Sequence, residues 1–211
     1  MSRTQLTIRR TEHRNVKGVV FNIFEDFIVS NWGAEAYEDI LEAAKPSCPF
    51  FVGPGTYADE DFSKLVRAAC SAHDIVMADA VRAFGTYAFP QLAERHPIFL
   101  EGLNNIESLL LNLDSVIHVE VLKLLPGAVL PRFEVWQSSE KQLKLEYRSP
   151  RQLCSFVEGL VDGASRYFNE PVRLQHSPCM HAGSSYCGFV IDIGDEETAR
   201  GRRSDRKAPS A

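Results

Sequence analysis

The sequence predicts an α+β protein whose helical first half is followed by a small four-stranded antiparallel sheet. Up to about residue 125 the apolar residues recur at three- and four-residue spacing, which is the period of a helix buried on one face. After Pro126 and Gly127 they alternate with polar residues, which is the period of a half-buried strand. A chain of 211 residues, 45% of them hydrophobic, can bury a sizeable core around these elements.

Five helices are expected in the first half. The first carries an apolar stripe and ends near Gly33, because glycine favours a helix stop. Between the second and the third lies KPSCPFFVGPGTYAD, whose three prolines and two glycines indicate a loop. Pro90 is expected to kink the fourth, and the fifth has so little polar surface that much of it should be buried. The predicted helices span residues 19–29, 34–44, 59–73, 77–95 and 104–125.

Four strands and one helix are expected in the second half. The first two strands form a hairpin across Ser138–Glu140, with Leu143, Leu145 and Tyr147 on one face. The helix that follows has Pro150 in its first turn, where a missing amide hydrogen is harmless. The predicted strands span 130–137, 141–149, 171–177 and 185–193, and the helix spans 150–168.

Charge and composition exclude several functional classes. Of the 23 basic and 28 acidic residues, 13 and 23 lie within 18–194. An acidic body is unsuited to nucleic acid, because nucleic-acid affinity comes largely from Lys and Arg on phosphate. No apolar run approaches a membrane span and the N-terminal stretch lacks the apolar core of a secretory signal, so we expect a cytoplasmic protein. The five cysteines then favour thiols and metal ligands over disulfides.

His118 is the first candidate ligand. It lies in an apolar stretch between Ile117 and Val119, eight residues before Pro126. A charged imidazolium would be poorly solvated there, whereas a neutral imidazole could coordinate iron. Position alone leaves a competing interpretation, in which a helix histidine finds a polar partner for its ring.

A polar cluster follows the hairpin. Tyr147, Ser149 and Arg151 occupy alternate positions and share one face if the strand continues through them. Two hydroxyls and a guanidinium could then bind one anionic group such as a carboxylate. The alternative is an ordinary strand end with a surface arginine.

The run HSPCMHAGSSYC indicates a second metal site. It contains His176, Cys179, His181 and Cys187, and Cys154 lies on the predicted helix before it. Three thiolates and one imidazole suit tetrahedral zinc in a closed structural site. Two histidines compete for the fourth place, and buried thiols without a metal are the alternative interpretation.

Together these segments resemble the haem NO/O2-binding domain, the H-NOX family of gas sensors. The resemblance depends most on LDSVIHVEVLKLLPGAVLPRF and YRSPR, where the YxSxR pattern and the spacing from the histidine to PG both match. It begins at VKGVVFNIFEDF, includes FGTYAFPQLAERHPIFLEG and runs to about Ile193, which is nearly the whole chain. DSVIH has one residue more than the DxxH of some members, which bears on the helix phase just before His118.

The resemblance implies a b-type haem between a helical and an α/β subdomain. His118 would be the proximal iron ligand, and Pro131 would press on and distort the porphyrin. Tyr147, Ser149 and Arg151 would hold the haem propionates.

The resemblance also bears on the choice of gas. In O2-binding members a distal tyrosine, supported by a tryptophan and an asparagine, donates to bound O2. Those positions fall here on Phe156, Phe24 and Ala88, and Val20 and Leu92 complete the expected pocket. None of the first three can donate a hydrogen bond, although each would be a plausible core residue without haem. Because NO binds ferrous haem tightly without a donor, we expect binding of NO and CO and exclusion of O2.

Some bacterial members resemble this chain at the second site as well, with a Cys, His-x-x-Cys and then Cys arrangement. This match selects His176 over His181. It implies zinc bound by four residues, Cys154, His176, Cys179 and Cys187.

The leading functional hypothesis is a haem-based nitric oxide sensor, without enzyme activity, that signals in trans. In bacterial relatives the partner is commonly a histidine kinase or a cyclic-di-GMP enzyme. The alternative is a zinc and thiol redox sensor, in which oxidation of Cys154, Cys179 and Cys187 is the signal.

The domain organisation follows from the same resemblance. Members commonly begin where this chain has Val16. The tail has almost no apolar content and is expected to be disordered. The expected units are an N-terminal extension at 1–15, an H-NOX domain at 16–194 with its helical part at about 16–75 and its haem-ligating helices and sheet at about 76–194, and a tail at 195–211.

Overall fold

Helices form the first half of the molecule and a four-stranded antiparallel sheet forms the second, so the predicted α+β class is confirmed. The computed structural model describes residues 15–124 and 129–194. The predicted N-terminal extension up to residue 14, the bend at Pro126 and Gly127 and the predicted tail 195–211 lie outside the described residues.

Four long helices and a short β-ribbon build the N-terminal part. The helices predicted at 34–44, 59–73 and 77–95 are found at those bounds, and Pro90 lies inside the last of them without ending it. The two strands of the ribbon pair antiparallel and are too short for alternation to reveal them. The elements are β1 Asn15–Lys17, α1 Gly18–Trp32, α2 Ala34–Ala44, β2 Thr56–Ala58, α3 Asp59–His73 and α4 Met77–Arg95.

Gly18 allows the loop before β2 to lie directly on the start of α1. A Cβ atom at this position would be 1.9 Å from the carbonyl oxygen of Val52. Nearby, Phe21 stacks on Phe51 with ring centroids 4.0 Å apart and packs edge-on to Tyr57. Burying a side chain of this kind contributes about 1.5–3 kcal/mol relative to exposure, so aromatic packing holds this loop against α1.

The helix predicted at 104–125 is interrupted, which corrects the sequence analysis. The segment contains α5 Ile106–Leu111, a π-helical turn Leu113–Ile117 and α6 His118–Leu124. A π turn adds a residue to the helical repeat and so rotates the face that follows it. Leu109, Leu110 and Ile117 are buried, as the apolar pattern predicted, whereas Val119 and Leu122, which follow the turn, are exposed.

The sheet of the C-terminal part has the strand order β3-β4-β6-β5 and is antiparallel throughout. Leu143, Leu145 and Tyr147 are buried on one face, as the alternation predicted. The elements are β3 Arg132–Ser139, β4 Gln142–Arg148, α7 Cys154–Tyr167, β5 Val172–His176 and β6 Cys187–Ile193.

The connection between β4 and α7 differs from the prediction. The strand ends at Arg148 and the helix begins only at Cys154, so Pro150 is not in its first turn. A tight turn lies between them, in which the amide of Gln152 donates to the carbonyl of Ser149 over 3.1 Å and Gln152 has a φ of 52°. The alternation of polar residues therefore did not continue as a strand.

Glycines bring α4 and α7 into backbone contact. A Cβ atom at Gly159 would be 2.1 Å from the carbonyl oxygen of Arg82, and one at Gly85 would be 2.6 Å from that of Phe156. At such separations neither helix can shift without the other. Within the described ranges, no helix combines the length and apolarity that crossing a bilayer would take.

Candidate functional site

A cavity of about 1260 Å³ lies between the helical part and the sheet. Its lining is mostly apolar, and its volume exceeds the roughly 300–1,000 Å³ of common small-molecule pockets. Protein cores otherwise pack closely, so a cavity of this size suits a large and mainly apolar ligand. Ala88 is buried but does not line the cavity. The other nine residues predicted to surround a haem do: Val20, Phe24, Leu92, His118, Pro131, Tyr147, Ser149, Arg151 and Phe156.

His118 begins α6 at the wall of this cavity. Its Nδ1 lies 3.0 Å from Oδ1 of Asp114, and its ring packs against Phe133 with centroids 5.5 Å apart. Burial lowers the pKa of His118 below its usual value, and the opposing effect of the Asp114 carboxylate does not compensate. The ring is therefore neutral near pH 7, and the carboxylate places its proton on Nδ1. The lone pair is then on Nε2, where a metal ligand needs it.

Asp114 lies in the π-helical turn that directly precedes His118. The amide of Ile117 donates to the carbonyl of Asn112 over 3.0 Å, which is the five-residue repeat of a π-helix. One extra residue in DSVIH is thereby absorbed inside the turn. The carboxylate and the imidazole meet although the segment departs from the shorter DxxH pattern.

Tyr147, Ser149 and Arg151 line the same cavity, but they do not share a strand face as predicted. β4 ends at Arg148, so the last two lie in the turn that follows. Tyr147 is buried at the strand end, where its hydroxyl accepts a hydrogen bond from the amide of Leu153 over 3.0 Å. The hydroxyl of Ser149 accepts one from the amide of Arg151 over 3.2 Å. The turn, rather than the strand, therefore positions the polar end of the cavity.

The guanidinium of Arg151 joins three distant parts of the chain. It binds the carboxylate of Asp59 through Nε and Nη2, over 2.7 and 3.1 Å, at the start of α3. It also donates to the carbonyls of Asn15 and Val129, each over 2.7 Å. Four of its five N–H groups are thus engaged, which leaves one on Nη1 for a ligand. The sequence analysis identified Asp59 only as a helix start, because no local pattern links it to Arg151.

Aromatic side chains form the opposite wall. Phe24 and Ala88 are each only 2% exposed. Phe84 stacks on Phe156 with centroids 5.5 Å apart and lies edge-on to Phe24 at 5.4 Å. Of the three positions where O2-binding relatives are expected to place polar residues, Phe24 and Phe156 line the cavity with hydrocarbon and Ala88 is buried beside it.

A second cluster, of possible metal ligands, includes the first residue of α7. One ligand atom from each of Cys154, His176, Cys179 and Cys187 falls within 4.8 Å of the others. The sulfur of Cys179 is 3.9 Å from that of Cys154 and 3.9 Å from that of Cys187. Tetrahedral zinc with bonds of about 2.3 Å to sulfur requires about 3.8 Å between sulfurs, so the spacing fits. His181 lies elsewhere, with Nε2 2.8 Å from the carbonyl oxygen of Gln152.

The chemistry of the cluster also fits a cation. Burial, and then the neighbouring Cys187 and Cys179, raise the pKa of Cys154 to about 12, because thiolates in so small a space repel one another. A divalent metal would remove that repulsion. The Nε2 atom of His176 is buried and has no hydrogen-bond partner among the described residues, whereas its Nδ1 lies 2.7 Å from Oε1 of Glu158.

The sequence analysis missed three residues that support the cluster, Arg82, Glu158 and Asp162. Arg82 on α4 donates from Nη1 to Glu158 over 3.0 Å and from Nε to Asp162 over 2.7 Å. The two acids stand four residues apart on α7, a spacing that indicates a shared cation on one helix face. Nothing in the sequence identifies Arg82, 76 residues away, as that cation.

The chain is similar to known proteins in sequence and in fold. A family model described as haem-NO-binding matches residues 17–176. A crystal structure of an H-NOX protein from S. oneidensis in the Fe(II)NO ligation state is 32% identical, covers 85% of this chain and 100% of that one, and has a TM-score of 0.82. A solution structure of an H-NOX domain from Shewanella oneidensis in the Fe(II)CO ligation state is 31% identical, with coverages of 86% and 100% and a TM-score of 0.80.

An H-NOX protein from K. algicida, at 24% identity and a TM-score of 0.78, covers 86% of this chain and 98% of that one and supports the fold alone. No curated protein sequence matches the chain.

Proposed function

The chain belongs to the haem-NO-binding family of H-NOX proteins, and from this premise we propose that it is a haem-based sensor of nitric oxide that signals in trans. H-NOX proteins are haem-based gas sensors, so a sensing role is common to the family. The choice of gas, the roles of individual residues and the output are our proposals. The observation that carries them is the apolar cavity, which combines a neutral histidine with a polar end.

Each wall of the cavity would have one task. His118 would be the iron ligand through Nε2, with its ring oriented by Asp114. Pro131 would press against the porphyrin, and the one free N–H of Arg151 would act with Tyr147 and Ser149 on the propionates. When bound, haem supplies the iron centre at which a gas ligand is held. The residues of this chain orient that centre and exclude water from it.

The aromatic wall favours NO and CO over O2. A bound O2 carries partial negative charge and is retained by a hydrogen-bond donor, whereas NO needs none. Phe24, Ala88 and Phe156 offer no donor. The Fe(II)NO and Fe(II)CO states described for the Shewanella oneidensis relatives are consistent with this choice.

The output would be a shift between two arrangements of the helical part and the sheet part. His118 is the first residue of α6, so a movement of its ring is passed directly to that helix. Arg151 connects the sheet part to the start of α3 through Asp59. We propose that a partner protein in the cytoplasm, such as a histidine kinase or a cyclic-di-GMP enzyme, reads this shift, and that the chain has no enzyme activity of its own.

The role of His118 can be tested by replacement. His118→Gly produced in cells should yield haem-poor protein, because the iron loses its protein ligand. Added imidazole should restore haem binding by occupying the space that the side chain leaves. A haem content and absorption spectrum equal to those of the wild type, without imidazole, would remove His118 from this role.

A second candidate function is favoured by the cysteine cluster, whose geometry fits a zinc ion. We propose that peroxide takes two electrons from a pair of zinc-bound thiolates, which form a disulfide while the peroxide is reduced to water and the metal is released. Reduced protein should contain about one zinc per chain, lost in Cys179→Ala and Cys187→Ala and retained in the control His181→Ala. Absence of zinc from reduced wild-type protein, purified without chelators, would exclude this function.

A further inference from the structure

The metal site contains a histidine whose two nitrogens have contrasting surroundings. Nδ1 of His176 is 2.7 Å from Oε1 of Glu158, and Nε2 is buried with no hydrogen-bond partner in residues 15–124 and 129–194. Both side chains are largely shielded from solvent, with 17% and 15% of their surface exposed. A carboxylate in this position accepts a hydrogen bond from the Nδ1–H of the ring. The lone pair of Nε2 is then available to a metal. The ring also stacks on Phe189, with centroids 4.4 Å apart, which limits its rotation.

Glu158 belongs to the same helix face as a ligand. It stands one turn after Cys154 on α7, and residues four apart on a helix project to the same side. α7 therefore supplies one thiolate directly and orients the imidazole that β5 supplies. The position of His176 relative to the thiolates depends on where this helix lies.

Arg82 fixes the same carboxylate from the other side. It binds Oε2 of Glu158 over 3.0 Å while Asp162 holds its Nε over 2.7 Å, so Glu158 is held between a cation and an imidazole. Arg82 stands two residues before Phe84, which stacks on Phe156 in the wall of the cavity. The backbone of α4 therefore connects the side chain that holds Glu158 to an aromatic ring in the cavity wall.

We propose that Glu158 is a positioning residue of the metal site, which orients His176 for coordination, and that Arg82 connects this carboxylate to the wall of the large cavity. The inference rests on the proposed zinc site. Binding or loss of zinc then alters the surroundings of the gas ligand through α4, without any change in the haem ligands themselves.

The first test measures zinc affinity by competition with a chromophoric chelator in the full chain. Glu158→Ala should weaken zinc binding by about 10- to 100-fold, the usual effect of losing an outer-shell carboxylate. Glu158→Gln should weaken zinc binding less, because the amide oxygen can still accept a hydrogen bond from Nδ1–H. Glu94→Ala is the matched control, since Glu94 is an exposed acid on α4 that plays no part in these contacts, and it should retain the wild-type affinity.

A double-mutant comparison separates positioning from a general structural effect. In a His176→Ala background Glu158→Ala should change zinc affinity no further, because its only route to the metal has been removed. An equal loss in both backgrounds, or no loss in the single variant, would overturn the role of Glu158. Wild-type protein that binds no zinc would overturn the metal site itself, which is a different result.

The second test follows the connection to the cavity. In the reduced CO-bound protein, removing zinc with a chelator should shift the C–O stretching frequency, which reports the surroundings of the gas ligand. In Arg82→Met, checked for folding by circular dichroism, the shift should disappear. A frequency insensitive to zinc in the wild type, or an equal shift in Arg82→Met, would contradict the connection.

Discussion

At the scale of single residues, the two candidate metal sites share one arrangement, a histidine held by a carboxylate. His118 and His176 each present one ring nitrogen to a carboxylate, Asp114 at 3.0 Å and Glu158 at 2.7 Å. In both cases the carboxylate fixes the tautomer and increases the basicity of the other nitrogen. The sequence identified both histidines, but it did not identify either carboxylate as the partner. Glu158 contacts His176 from another element, and Asp114 stands four residues before His118, where side chains on one helix are neighbours.

Replacing Asp114 should weaken the bond between His118 and iron. In Asp114→Asn the ring keeps an acceptor but loses the negative charge that makes Nε2 a strong donor. We expect a lower iron–histidine stretching frequency in the resonance Raman spectrum of the unliganded Fe(II) protein, and haem retention weakened by about 10-fold.

Ser115→Ala, a substitution of an exposed neighbour on the same π turn, is the control and should leave both quantities unchanged. If Asp114→Asn gives the wild-type frequency, the carboxylate does not tune the ligand.

At the scale of elements, the contact between α4 and α7 depends on glycine. A methyl group at Gly159 would meet the carbonyl oxygen of Arg82 at 2.1 Å, and backbone cannot give way as a flexible side chain can. The cavity uses both helices, since α4 carries Leu92 and α7 carries Phe156, and α7 also carries Cys154 of the metal cluster.

Gly159→Ala should therefore destabilise the fold by about 1–3 kcal/mol through overpacking. The measurement is urea unfolding followed by circular dichroism. Gly53→Ala is the control, because a methyl group there would make only an ordinary contact, 3.7 Å from the side-chain oxygen of Asn22. Equal stability of Gly159→Ala and the wild type would show that α4 and α7 can separate more easily than their packing indicates.

The loop before β2 is held to α3 by a buried carboxylate. Asp61 accepts hydrogen bonds from the amide of Ser47 over 3.1 Å and from the Ser47 hydroxyl, and Lys64 lies 3.5 Å away. Burial alone would raise the pKa of Asp61, but these hydrogen bonds and the charge of Lys64 together lower it below its usual value. The ionised form is consequently bound more favourably in the folded protein than in the unfolded chain.

Stability from Asp61 should be complete above its unfolded pKa of about 3.9 and should be lost as the pH falls through the lower folded value. Asp61→Asn should remove this contribution, at a cost of about 1–3 kcal/mol near pH 7. Denaturant unfolding at a series of pH values measures both effects. The difference in stability between wild type and Asp61→Asn should shrink below pH 4, and a difference that stays constant with pH would contradict the assignment.

At the scale of the whole molecule, the sequence was sufficient for elements with regular periodicity and for ligands with a family pattern. The bounds of three helices and the buried face of Leu143 and Leu145 follow from spacing, and nine of the ten residues predicted to line the cavity follow from spacing or resemblance. The interrupted helix before His118 could not be predicted from its apolar residues, because a π turn changes the helix phase without changing composition.

Long-range ion pairs could not be predicted from the sequence either. Arg151 and Asp59 are 92 residues apart, and neither is unusual in its own segment. Their pairing exists only because the turn after β4 meets the start of α3 in the fold. The same holds for Arg82 and Glu158, so the residues that support a site were harder to find than those that form it.

The central claim is that this chain holds a haem whose pocket accepts NO and rejects O2. The most direct measurement is the absorption spectrum of the purified, reduced protein, recorded first in air and then after addition of NO. We expect a Soret band at one haem per chain, an unligated Fe(II) spectrum that persists in air apart from slow oxidation, and immediate conversion by NO. Absence of a Soret band would contradict haem binding, and a stable O2 complex would contradict the apolar pocket that Phe24 and Phe156 line.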